Sequence, residues 1–195
     1  LDTICGAELP DADLWWMSPP CKPVSRRGRR KDMQDYRAAP FLNLVSLISE
    51  KKQSYIALEN VLGFAGSDLE KKFLNQLVRL GYKTEILKFC PSGLGIPMQR
   101  PRLFYISTLK EFNAFENESK QHEHLNLSAF IDENQHQNKS LELCSSIQSR
   151  YESSLNIIDP ANVESKAICF SSSYGKSLKA SGSIIRLDSG RLRYF

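Results

Sequence analysis

Three short stretches of this chain hold residues whose types could do chemistry. The first is Ser18-Pro19-Pro20-Cys21-Lys22-Pro23. Prolines on both sides restrict the backbone around Cys21, and a thiol held that way at a strand end is presented as a nucleophile. A free thiol has a pKa of about 8.5, so only a small fraction is thiolate at neutral pH, and Arg26, Arg27 or a helix N-terminus nearby would raise that fraction. The other reading is a buried structural cysteine. The second stretch is Glu59-Asn60-Val61, which closes an apolar run. A carboxyl facing a cleft can hold or donate a proton; the alternative is a cap or turn residue. The third is Ile96-Pro97-Met98-Gln99-Arg100-Pro101-Arg102-Leu103-Phe104-Tyr105. Arg100 and Arg102 alternate, so both can point to one side of the chain. Guanidinium groups suit phosphates and base oxygens; the bland reading is a solvated strand edge.

The patterning around these residues is that of an α/β sheet. Residues 14–17 form an apolar run stopped by prolines, read as a buried strand. Helical spacing follows over residues 37–49, a strand over 55–58, and a second amphipathic helix over 68–80 with Gly81 as its C-cap. Residues 82–89 and 103–106 are further strands. Strand–helix alternation through residue 89 predicts a parallel sheet with crossover helices. Ligands then bind beyond the carboxyl ends of the strands. Cys21 and Glu59 each fall just past such an end.

The whole chain has 195 residues, 41% hydrophobic and 25% charged, with a formal net charge of +4. Residues 109–165 hold four Lys/Arg against ten Asp/Glu, a net of −6, so the remainder carries +10. That remainder suits a polyanion. The cluster Arg26-Arg27-Gly28-Arg29-Arg30-Lys31 reads as a phosphate-contacting loop in preference to a nuclear localisation patch. Five scattered cysteines without CxxC spacing argue against a zinc site or disulfide framework and for a reducing, intracellular setting, cytoplasmic or nuclear. His122 and His124 lie in so polar a stretch that a solvated loop is expected there, and no metal. No apolar stretch is long enough to span a membrane. The first residue is Leu1, which fits a processed chain or a fragment.

Taken together, the Pro-Cys loop, the Glu-Asn-Val strand end and the Arg-x-Arg pair, in this order, resemble the cytosine-5 methyltransferase family. The resemblance spans about residues 13–108, and Gly28, Asp32, Asp35 and Arg37 also match. Cys169-Phe170-Ser171, Ser173-Tyr174-Gly175, Gly182-Ser183-Ile184 and Leu192-Arg193-Tyr194-Phe195 are similar to the tRNA-methylating branch. Lys22 replaces the usual Gln, Met98 a usual Gln or Asn, and Ser171 a Thr.

The resemblance implies a Rossmann-like S-adenosylmethionine-dependent methyltransferase fold, here partial, with a small target-recognition region. Residues 1–108 would be the central part of the catalytic domain. Residues 109–165 would be a polar acidic insertion opening the target-recognition region, and 166–195 its remainder, leading back to the catalytic domain. Cys21, Glu59, Arg100 and Arg102 are implied as catalytic, supported by Asn60, Pro20 and Arg37. Lys22, Arg26, Arg27, Arg29, Arg30, Cys169 and Phe170 would bind nucleic acid, tRNA in preference to DNA. Pro20 and Pro40 match positions near the cofactor. The family's glycine-rich cofactor loop would lie upstream of Leu1 and its Gly-Asn-Ser motif beyond Phe195, so this stretch alone is expected to be inactive. The rival readings are a DNA cytosine-5 methyltransferase and a methyltransferase-like binding protein without catalysis.

Overall fold

The computed structural model describes residues 4–20, 33, 35–111, 123–132, 138–178, 181–187 and 189–195. In chain order the strands are β1 (Leu14–Met17), β2 (Tyr55–Val61), β3 (Lys83–Phe89), β4 (Met98–Gln99) and β5 (Arg102–Thr108). They continue with β6 (Ile157–Ile158), β7 (Ala167–Ile168), β8 (Ile184–Arg186) and β9 (Leu192–Arg193). The α-helices are α1 (Ala39–Lys51), α2 (Asp68–Arg79) and α3 (Ser145–Tyr151). The chain divides into two compact units. One holds Leu1–Phe89 and Pro101–Glu118, the other Cys90–Arg100 and Ser119–Phe195.

The first unit is a four-stranded sheet in the order β1-β2-β5-β3. β1 pairs parallel to β2, while β5 lies antiparallel to both β2 and β3. β1, β2 and β3 therefore run the same way, as strand–helix alternation implies. β5, beyond that alternation in the chain, enters antiparallel at the centre of the sheet. β3 does not sit beside β2, because β5 turns back from β3 and inserts between them.

β2 is also three residues longer than its apolar run, since β5 pairs with it to the end: Glu59 opposes Phe104, Asn60 opposes Leu103 and Val61 opposes Arg102. Glu59 and Asn60 thus lie inside the ladder and not beyond it. β1 differs too. It is an edge strand with Leu14 and Trp16 exposed and Met17 buried, not buried throughout.

Both helices cover one face of this sheet. Phe41, Val45 and Ile48 of α1 and Leu69, Phe73 and Leu77 of α2 pack against Ile56, Leu58, Leu103 and Tyr105. Phe64 and Phe73 meet the Tyr105 ring edge-on at 5.6 and 5.9 Å, the offset geometry aromatic rings favour. Burial of each such side chain is worth about 1.5–3 kcal/mol before entropy is charged against it.

The start of α2 is a reciprocal cap. Ser67 Oγ accepts from the Glu70 backbone at 3.0 Å, and Gly66 N–H donates to Glu70 Oε2 at 2.6 Å. Tyr105 hydroxyl donates to the other Glu70 oxygen, tying the cap to the middle of β5. Gly81, at φ +86°, stops the helix in the left-handed conformation that glycine tolerates.

In the second unit β4 pairs with β7, and β6, β8 and β9 form a three-stranded sheet. Residues 109–165 read as a weakly patterned polar segment, yet Leu127, Leu143 and Ile158 within it are buried in two small cores. Their spacing is irregular because short elements, not long helices, carry them. Tyr174 is the hub of this unit. Its hydroxyl donates to the Ser183 carbonyl at 2.7 Å and accepts from Phe195 N–H at 2.9 Å. Phe170 stacks edge-on against Tyr174 and Phe195, at 4.7 and 4.9 Å.

Among the described residues no helix is long and apolar enough to cross a membrane.

Candidate active site

The carboxyl end of β2 carries a largely buried carboxylate–guanidinium pair. Along β2, alternate side chains face opposite sides. Ile56, Leu58 and Asn60 point to the helix-covered face, and Asn60 is buried there. Glu59 points the other way, together with Phe104 and Arg102 on β5. Arg102 is the diagonal neighbour of Glu59 across the strand pair, within reach of a long side chain. Its Nε lies 2.9 Å from Glu59 Oε1, with the two side chains only 20% and 18% exposed. The Arg102 Nη1 donates to the Pro101 carbonyl at 2.9 Å, which fixes the fork from a second side. The pair sets a guanidinium charge beside the carboxylate before any substrate arrives.

The same face bears aromatic surface. Phe104 contacts Trp16 at 6.1 Å and Phe89 at 5.7 Å between ring centroids.

β1 delivers the chain to this rim. Its register puts Met17 opposite Leu58, so Ser18 to Pro20 leave the sheet level with the end of β2. Pro19 is buried and Pro20 exposed. Cys21, Lys22, Arg26, Arg27, Arg29 and Arg30 lie outside the described residues.

The chain returns at Asp35. The buried Asp35 carboxylate accepts from Arg37 N at 3.0 Å, from its Nε at 2.8 Å and from its Nη2. This fork holds the 3-10 turn Tyr36–Ala38 at the head of α1. Pro40 is half-buried in the first turn of α1, where a missing N–H is harmless.

Arg102 is therefore the arginine that the first unit brings to Glu59. Arg100 belongs to the second unit, where its backbone N–H donates to Cys90 Sγ at 3.3 Å. Burial pushes the Cys90 thiol up. Hydrogen bonds from Ser92 and the Arg100 backbone, with the charge of Lys166, outweigh that and hold it below its ordinary range. Cys169 and Phe170, also in the second unit, are both exposed. Among the described residues no three His, Cys, Asp or Glu side chains gather as a metal site would need.

The model of the C-5 cytosine-specific DNA methylase family matches residues 1–181. The chain belongs to that family. The human tRNA (cytosine(38)-C(5))-methyltransferase is 37% identical over 100 residues, which cover 50% of this chain and 26% of that protein. A DNA (cytosine-5)-methyltransferase of Dictyostelium discoideum is 34% identical over 116 residues, covering 57% and 31%. The chain thus spans about a quarter to a third of the length of these two relatives. Among solved structures, the Entamoeba histolytica methyltransferase EhMeth superposes with a TM-score of 0.86 at 24% identity, over 100% of this chain and 66% of that one. The fold of this cytosine-5 methylase chain is accordingly the Rossmann-like fold of S-adenosylmethionine-dependent methyltransferases.

Several contributors went unread in the sequence. Glu70 and Tyr105 make a buried pair that no local pattern announces, since each is unremarkable in its own element. The diagonal from Glu59 to Arg102 depends on β5 pairing with β2, which requires the inserted strand to be known.

Proposed function

We propose that this chain carries the reaction centre of an enzyme that methylates carbon 5 of cytosine in nucleic acid, tRNA being the substrate, through a covalent adduct with Cys21. The observation that supports it is the Glu59–Arg102 pair, fixed at the carboxyl end of β2 where the chain leaves β1 toward Cys21.

The target cytosine leaves its stack, at an energy of a few kcal/mol. That energy is least in a loop, whose bases are already splayed. The Cys21 thiolate forms a bond to C6, and the C5–C6 π electrons move toward C5 as Glu59 holds or protonates N3. Arg102 keeps the Glu59 carboxyl oriented and grips the base oxygen, and Asn60 orients the strand end. Arg100 contacts a phosphate. Carbon 5 gains the methyl group and loses its proton to a base. The C6–S bond then breaks, which restores the C5–C6 double bond and frees Cys21.

S-adenosylmethionine supplies the electrophilic methyl when bound. Pro20 and Pro40 fit it as apolar wall only, since proline offers neither an N–H nor a charge to hold a ribose or a carboxylate. Lys22, Arg26, Arg27, Arg29 and Arg30 bind phosphates next to the nucleophile. Residues 109–165 and 166–195 serve as the target-recognition region, with Cys169 and the exposed Phe170 toward the nucleic acid. The free thiols of Cys5, Cys90, Cys144 and Cys169 fit a reducing intracellular compartment, cytoplasmic or nuclear.

The test is methyl transfer by the full-length protein from labelled S-adenosylmethionine to separate tRNA and DNA pools. Label is expected in tRNA. Label confined to DNA would assign the enzyme to the DNA-methylating kind, and label in neither would leave a nucleic-acid-binding protein without catalysis. Cys21→Ala is expected to abolish transfer and retain RNA binding; residual turnover would remove Cys21 from the mechanism.

A further inference from the structure

One aromatic side chain beside the site has no part in the fold or in the mechanism above. Tyr36 is 86% exposed, more than any other large hydrophobic residue described. A lone exposed aromatic is ordinary on a protein surface, but the mounting of this one is not. Its neighbours are locked on both sides: Asp35 is buried and grips Arg37 by both carboxylate oxygens, and Ala38 is buried under the head of α1. The Arg37 guanidinium stands 5.7 Å from the Tyr36 ring centroid, so a fixed cation accompanies the ring. The backbone that carries the phenol is rigid while the ring is left open to solvent.

Its place in the topology is equally specific. α1 is the crossover from β1 to the parallel neighbour β2, so its head lies on the side of the carboxyl ends of those strands. Glu59 and Pro20 are on that same rim. An aromatic ring with a cation over one face leaves its other face for a base, and single-stranded nucleic acid is bound by such pairs, with the base on the open face and the phosphate on the cation.

We infer that Tyr36 is a stacking platform for an unpaired nucleobase flanking the target cytosine, with Arg37 holding the adjoining phosphate. This rests on the nucleic-acid reading above and adds a binding residue to it. The platform favours looped or flipped-out bases over duplex, because a stacked base has no free face to offer.

The experiment measures binding of the full-length protein to two RNA hairpins, one with an open cytosine-containing loop and one closed by a minimal tetraloop on a longer duplex. Tyr36→Ala is expected to weaken binding to the open loop about tenfold to a hundredfold. It should leave the mostly duplex hairpin within about twofold of wild type. Tyr36→Phe, which keeps the ring, should restore loop binding. Thermal melting of both variants should match wild type, given the exposure of the side chain. Wild-type loop affinity in a folded Tyr36→Ala protein would overturn the platform and leave the methylation reading standing. Equal loss on both hairpins would also overturn it, since that marks a general electrostatic or structural effect. If the wild-type protein binds neither hairpin, the parent reading falls, and the platform with it. A DNA hairpin with the same loop, run in parallel, reports which sugar the platform accepts.

Discussion

Arg102 and Glu59 are joined by geometry that only a planar fork can satisfy. Glu59 is reached diagonally from β5 through Arg102 Nε, while Arg102 Nη1 is tied back to the Pro101 carbonyl. A lysine could reach the carboxylate as a point charge, but its single nitrogen cannot stand at the Nε and Nη1 positions together. On the proposed reaction, Arg102→Lys is therefore expected to lower kcat by one to two orders of magnitude while leaving nucleic-acid affinity within a few fold, measured by steady-state methyl transfer. An unchanged kcat would show that orientation of the carboxyl is not what Arg102 supplies. Glu59→Gln keeps the shape and removes the ionisable proton. Its kcat should fall by about 10²–10⁴, the range typical for loss of a general acid or base. A rate like that of wild type would take Glu59 out of the proton transfer.

At the scale of elements, Gly182 is a position where packed aromatic rings leave no room for a side chain. A methyl group there would sit 2.5 Å from both the Phe170 and Tyr174 rings. Gly182→Ala should thus destabilise the second unit by about 1–3 kcal/mol, the usual effect of overpacking. A urea titration followed by Tyr fluorescence tests this, and a midpoint equal to wild type would refute it. Much of this layer could be read in advance. The helical spacing of Phe41, Val45 and Ile48, and of Leu69, Phe73 and Leu77, placed α1 and α2 within a few residues of where they form, and Gly81 marked the stop of α2. The strand ends were harder. Glu59 and Asn60 are polar, so an apolar run ends before them, yet β5 gives their backbone groups partners. The second unit was least legible, because its buried Leu127, Leu143 and Ile158 sit singly in short elements with no period to count. For the site, residue types and order supplied the candidates, and only the fold singles out the diagonal between Glu59 and Arg102.

For the molecule as a whole, the buried Tyr105–Glu70 contact couples stability to alkaline pH. Burial pushes the Tyr105 phenol well above its ordinary range, and the hydrogen bond to Glu70 and its charge push the same way; burial also raises Tyr82. A folded-state pKa above the unfolded value of about 10 means the stabilisation is fully present below pH 10 and is lost as pH rises beyond it. Unfolding free energy should fall by up to about 1.4 kcal/mol per pH unit for each such phenol above that point. Tyr105→Phe should flatten this fall, since no proton remains to be lost there. A slope identical to wild type between pH 10 and 11 would contradict the coupling.

The strand at the centre of the sheet, β5, is the last of the four to be made, because β1, β2 and β3 all precede it in the chain. A nascent polypeptide that has reached β3 has no direct neighbour for it on β2, and both strands wait with open backbone edges. Closure comes only when the ribosome has delivered the residues past Cys90–Arg100 and the hairpin folds back into the gap. Synthesis interrupted before that moment leaves two adhesive ribbons and no barrier between molecules. The facing edges of β2 and β3 thus stay open until the residues of β5 exist to fill them.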